Sequence, residues 1–160
     1  MRAYQIFAAM SPEMAEQVLR MLSESAPGAA AQALAAAGAV MKARPVYMAR
    51  QPLEKQAAAV RRAMARVASS PLAEELLAVY FLECRKELLI EWLDCAGVSH
   101  EDGTLADEAP AQPDPAALEQ AIDRFRSGDG PEERELLLGA FAAQSAVDWP
   151  ELERRVSLER

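Results

Sequence analysis

A single histidine, His100, and two cysteines, Cys84 and Cys95, are the whole stock of soft metal ligands and imidazole bases in these 160 residues. Zinc sites draw on several separated His and Cys side chains, and a helical di-iron site needs a Glu-x-x-His pair on each of two helices. Neither set exists. His100-Glu101-Asp102 offers three ligand types in a row, but adjacent residues do not converge on one ion, so His100 reads as a surface loop residue. Nucleophile elbows, glycine-rich phosphate loops and nucleic-acid-binding motifs are also missing. A cysteine nucleophile would need a lowered thiol pKa, and the apolar neighbours of Cys84 and Cys95 push the other way. The sequence therefore points away from an enzyme and implies no cofactor.

Long hydrophobic runs are missing as well. Nothing approaches 18 strongly apolar residues, the least a membrane-spanning helix needs. The opening MRAYQIFAAM is interrupted by Gln5 and is too short for a secretory leader, so the cytoplasm is the expected location. Aromatic residues number only nine, and much of the hydrophobic content is alanine. Such a composition favours close-packed helices over a sheet, which wants branched and aromatic side chains. Positive charge is scarce too. The net charge of −8 argues against generic binding to nucleic acid or to anionic membranes.

What the sequence does have is helix. The reading is an all-α bundle around one long central helix, residues 71–96, within SPLAEELLAVYFLECRKELLIEWLDCAG (70–97). Ser70 suits an N-cap and Pro71 the first helical position, while Gly97 suits the left-handed residue past the end, with Val98 as its apolar contact. Leu76 to Leu82 is apolar throughout and calls for cover on all sides. On one such helix Cys84 and Cys95 would stand about 16 Å apart, too far to bond to each other. Both read as small buried hydrophobes.

Beyond Leu82 the faces separate. Glu83, Glu87, Glu91 and Asp94 fall at i, i+4, i+8 and i+11, a carboxylate stripe on one side. Solvation and pairing with the chain's own cations account for such a stripe. Glu91-x-x-Asp94 also resembles half of the magnesium-binding Glu-x-x-Glu…Glu-x-x-Asp signature of all-helical nucleotide pyrophosphatases. The upstream half is missing: Leu77 and Ala78 lie three residues beyond Glu74 and Glu75, and Glu13-x-x-Glu16 is far outside the usual interval. That resemblance implies an alternative, a metal-dependent hydrolase of a phosphorylated small molecule, with Glu87, Glu91 and Asp94 on Mg²⁺ and Arg61, Arg62 or Arg66 on phosphate.

Ahead of the central helix, residues 1–40 read as two or three short helices. Ser11-Pro12-Glu13 opens one, and Met14, Val18, Met21 and Leu22 give it an apolar stripe. Ser25-Ala26-Pro27-Gly28 breaks it. The alanine-rich segment beyond, with Gly38, suits close helix packing. Residues 41–67 hold the charge anomaly: Lys42, Arg44, Arg50, Lys55, Arg61, Arg62 and Arg66 against Glu54 alone. Pro45 makes residues 44–48 extended or turn-like. Pro52 opens a helix to about Ala68 that sets Lys55, Arg62 and Arg66 on one side. The chain carries ample acid to neutralise this segment, so internal pairing is the expectation. The alternative is an anion or nucleic-acid site built on Arg44, Arg61, Arg62 and Arg66.

Past Gly97, Asp102-Gly103 reads as a tight turn. Pro110, Pro113 and Pro115 make a stiff connector. Three helices come after it: one with Leu118, Ile122 and Phe125, one opened by Pro131 with Leu137, Leu138 and Phe141, and a last one after Trp149-Pro150. The domain reading is a main bundle over 1–109, a connector over 110–115 and an acidic helical cap over 116–160 packed on the bundle. The functional expectation is a non-enzymatic protein–protein interaction or accessory module, with a protein partner that includes the option of a homodimer.

Overall fold

The computed structural model describes residues 1–106 and 109–158, so Asp107, Glu108, Glu159 and Arg160 of the acidic C-terminal region lie outside it. Helices account for 74% of the chain. The fold is all-α, with ten α-helices and one two-residue-per-strand hairpin among the described residues. The chain forms two compact units, which divide between Cys84 and Arg85.

The first unit, Arg2–Cys84, begins with helices α1 (Ala3–Ala9), α2 (Pro12–Ser25) and α3 (Pro27–Met41). Ser11 caps α2 as its sequence implies: the Oγ accepts from the Met14 N–H at 3.0 Å. Proline opens both α2 and α3, where its missing N–H is no loss. Short α4 (Pro45–Ala49), then α5 (Leu53–Met64) and α6 (Ser70–Val79), complete the unit. Residues 44–48 depart from expectation. Arg44 is extended, as the residue before a proline should be, but Pro45 then starts a helix. Helix α5 also stops short of Ala68. Ala65 leaves helical geometry, Arg66 is extended and a single 3₁₀ turn covers Val67–Ser69.

Helix α3 shows what alanine is for. Ala30, Ala33, Ala37 and Gly38 are buried, and α3 packs on both α2 and α5. At Gly38 an added Cβ would stand 3.1 Å from the Ala43 carbonyl oxygen, so a larger residue would have to push that backbone back by a few tenths of an ångström. Ile6, Phe7, Val18, Leu19, Leu22, Met64, Leu76 and Leu77 fill the core. Burial of each large side chain contributes about 1.5–3 kcal/mol.

One long central helix over 71–96 does not form. After Val79 the helix widens into a π turn over Tyr80–Cys84. Arg85 then leaves helical geometry altogether, at φ −131° and ψ 38°. Tertiary partners account for the break. The Tyr80 hydroxyl is fixed by Gln17 Nε2 at 3.3 Å and Met21 Sδ at 3.7 Å. Arg85 turns its guanidinium to Glu133, two parallel bonds of 2.8 Å each. A wide turn adds one residue to the ladder and re-aims the chain beyond it, which local propensity cannot report. Leu82, expected to be covered, is 42% exposed.

The second unit runs from Arg85 and includes Met1. Its first helix, α7 (Lys86–Ala96), ends as the sequence implies. Gly97 is left-handed, and the Val98 N–H donates to the Leu93 carbonyl at 2.9 Å. The hairpin β1 (His100–Glu101) and β2 (Thr104–Leu105) turns through Asp102 and Gly103, both at positive φ. Helices α8 (Pro115–Arg126), α9 (Pro131–Ala143) and α10 (Pro150–Leu158) complete it. Asp114 caps α8 by accepting from the Ala116 and Ala117 N–H groups. The proline segment belongs to this unit and is pinned within it: the Trp149 indole N–H donates to the Pro110 carbonyl at 2.7 Å. Phe125, Trp92, Phe141 and Trp149 form an unbroken aromatic row, at centroid distances of 5.4, 5.9 and 5.2 Å.

Candidate functional site

Two of the four carboxylates of the stripe are engaged by structure. Glu83 ends the first unit, so only Glu87, Glu91 and Asp94 share a helix, α7. Glu91 accepts two bonds from Arg134, from Nη1 at 2.7 Å and Nη2 at 3.0 Å. Asp94 Oδ1 lies 3.0 Å from His100 Nε2. Glu87 is exposed. Among the described residues no three His, Cys, Asp or Glu side chains converge as a metal would require. Glu91 is thus paired with a guanidinium and Asp94 bonded to an imidazole, while Glu87 is exposed.

His100 is not a free loop residue. Its ring is 13% exposed and bridges two elements. Nδ1 accepts from the Gly103 N–H at 3.2 Å, which leaves Nε2–H to donate to Asp94. One neutral imidazole tautomer satisfies both bonds, and it ties the hairpin to the end of α7.

The cysteines remain free. Each is half-buried. Burial pushes the Cys84 thiol above its usual range, against a hydrogen bond from Ser25 that lowers it, and Glu83 and Glu24 raise it further. Burial likewise raises Cys95, with Glu91 adding to it and Arg124 and Arg134 opposing. A raised thiol is the opposite of the lowered one that an activated nucleophile needs.

The basic segment behaves differently from the stripe. None of Lys42, Arg44, Arg50, Lys55, Arg61, Arg62 and Arg66 has an ion-pair partner among the described residues. The internal pairing expected for this segment is not seen among the described residues. Residues 2–84 carry nine bases and seven acids, a net +2. The remainder carries eight bases and eighteen acids, a net −10. The charge of the chain is segregated between its units.

Within the first unit, part of the basic segment borders a groove of about 700 Å³. Its floor is apolar: Phe7 of α1 and Met48 of α4 are both buried. Met41 and Tyr47 also line it, at 48% and 56% exposure, and the neighbouring Val46 is 61% exposed. Helix α5 presents Lys55, Ala58, Ala59 and Arg62 as its bank, and Ala65 lines the groove just past the helix end. The four on α5 lie at i, i+3, i+4 and i+7, one helical stripe. Glu54 and Gln51 complete the polar part of the rim.

The four arginines expected to form an anion site separate on this surface. Arg61 and Arg62 line the groove, whereas Arg44 and Arg66 are exposed outside its lining. Arg61 is also structural, since its Nη1 donates to the Met10 carbonyl at 2.6 Å and ties α5 to the end of α1. Arg62 is exposed and unpaired. The periodicity of α5 is enough to place Lys55 with Arg62. Nothing local signals the apolar floor, because Phe7 and Met48 arrive from other helices. Comparison with family models, with curated proteins and with solved structures finds no match for this chain.

Proposed function

We propose that the protein is a non-enzymatic interaction module that docks a protein partner in the groove of residues 2–84. The observation that carries this reading is the company the unpaired cations keep. Lys55 and Arg62 line the same groove as exposed Met41 and Tyr47 and buried Phe7 and Met48. Exposed apolar side chains gathered beside charge and rimmed by polar groups are the mark of an interface rather than of a bare solvated surface. Tyrosine, methionine and arginine are the residue types that interfaces favour.

The catalytic alternative has less behind it. Two of its three metal ligands, Glu91 and Asp94, are engaged elsewhere, its thiols are raised, and its one imidazole makes two structural hydrogen bonds. A nucleic-acid reading would use the cations alone and leave the apolar floor and bank without a role. Free half-buried thiols accord with a reducing compartment such as the cytoplasm.

The test is differential capture. The immobilised wild-type chain and a Tyr47→Ser/Arg62→Glu variant are exposed to the same extract, and retained proteins are identified by mass spectrometry and rebound in purified form. A protein retained by the wild type, lost by the variant and rebound when pure supports the reading. Identical retention by the two chains defeats it.

A further inference from the structure

We infer that the occupant of the groove is a single acidic amphipathic α-helix of a partner protein, lying along α5. This rests on the interaction reading above and adds the chemistry of the partner. The α5 bank between Lys55 and Arg62 is about 10 Å long, two turns of helix. Between its two cations it offers Ala58 and Ala59, with no side-chain atom beyond Cβ. Such a stripe admits the backbone of another helix at close range, and the buried Phe7 and Met48 beneath supply a surface for apolar side chains at i, i+3, i+4 and i+7.

Charge then selects the flank. Lys55 and Arg62 lie two turns apart on one face, about 10 Å along the axis. Carboxylates spaced seven residues apart on a ligand helix meet both. Among the described residues neither cation has a carboxylate partner, so such a ligand displaces none of them. Glu54 is the one acid on the rim, and it disfavours a third carboxylate near the start of α5.

A second copy of the chain is a poor occupant. Its residues from 85 onward carry the acid, but every exposed large hydrophobic among the described residues lies between Met41 and Leu82. Residues 2–84 of a second copy have the hydrophobics, but they would bring the same seven cations against one another. Acid and apolar face must therefore come together on one element of another protein.

The experiment uses the full chain and three labelled synthetic peptides of about fourteen residues, read by fluorescence anisotropy. One has an apolar i, i+3, i+4, i+7 face with glutamate flanks, one has the same face with lysine flanks, and one scrambles the first. The acidic helix is expected to bind with a Kd of about 10 μM, and the other two about tenfold or more weaker. Arg62→Glu and Tyr47→Ser, both at exposed positions and checked for folding by circular dichroism, are each expected to weaken the acidic helix about tenfold.

Equal binding of the scrambled peptide would mean that charge alone is read, as for RNA or any polyanion, and would overturn the inference. So would a concentration-dependent rise in mass by light scattering that Arg62→Glu abolishes, since a second copy would then own the groove. If no peptide binds at about 1 mM while groove-dependent capture succeeds, the helical occupant is wrong and the interaction reading stands. If capture ignores Tyr47 and Arg62 as well, both fail.

Discussion

Arg134 holds Glu91 through both terminal nitrogens of its guanidinium, across 43 residues of sequence, at 2.7 and 3.0 Å. The same side chain donates to two backbone carbonyls, Asp129 through Nε at 2.8 Å and Phe125 through Nη1 at 2.7 Å. Its guanidinium carbon lies 4.7 Å from the centroid of the Phe125 ring. Arg134 is 6% exposed. An arginine is suited to this place because its planar fork satisfies a carboxylate, two carbonyls and an aromatic face at once.

Glu91→Gln is expected to destabilise the chain by about 1–2 kcal/mol. A buried guanidinium keeps its two carbonyls but loses its counter-charge, and the half-exposed carboxylate limits the cost through solvent screening. Thermal denaturation with and without Mg²⁺ checks this. The midpoint of the wild type should not respond to Mg²⁺. A rise of several degrees that vanishes in the variant would return Glu91 to the role of a metal ligand.

Gly128→Ala should also act through Arg134. An added Cβ at Gly128 would overlap the guanidinium, which is held too firmly to swing aside. The expected loss is about 1–3 kcal/mol. In an Arg134→Ala background the same substitution should cost far less, because the obstacle has gone. A double-mutant cycle by urea denaturation measures the coupling, and additive losses would refute the account. Gly97→Ala makes a useful contrast. Nothing stands within 4 Å of its added Cβ, so the cost of about 1 kcal/mol is conformational, set by φ +68°.

Arg61 and Arg62 are adjacent and should separate cleanly. Arg61→Ala removes the bond to the Met10 carbonyl and is expected to lower stability by about 1 kcal/mol. Arg62→Ala should leave stability within about 0.5 kcal/mol, since the side chain is exposed and unpaired. The order of the two effects should reverse for peptide binding if Arg62 is the contact residue. Parallel denaturation and anisotropy titrations give both numbers.

The thiols predict a pH dependence with a definite sign. Burial raises both Cys84 and Cys95, so each stays protonated in the folded chain at pH values where an unfolded thiol ionises. The unfolded state then binds fewer protons than the native one, and stability falls as pH rises past about 8.5. Cys84→Ala and Cys95→Ala variants should flatten that decline. Thiol labelling of the native wild type at about pH 8 should be slower than that of the urea-unfolded chain, and equal rates would contradict the raised pKa values.

The sequence by itself determined the helical class and most helix boundaries. Proline at the first position of α2, α3, α8, α9 and α10, Ser11 and Asp114 as caps, and Gly97 as a stop act within four or five residues of chain. Such signals are legible because the groups they satisfy are neighbours in sequence. Tertiary structure decided the rest. The helix expected over 71–96 breaks at Arg85, where distant Glu133 and Gln17 supply partners that no local pattern records. It also decided which charges meet. A stripe of acids and a run of bases look like natural partners on paper, yet Glu91 pairs with Arg134 of α9 inside its own unit, and among the described residues Lys55 and Arg62 have no ion-pair partner. Coulomb attraction depends on separation in space, and that separation is set by how helices pack.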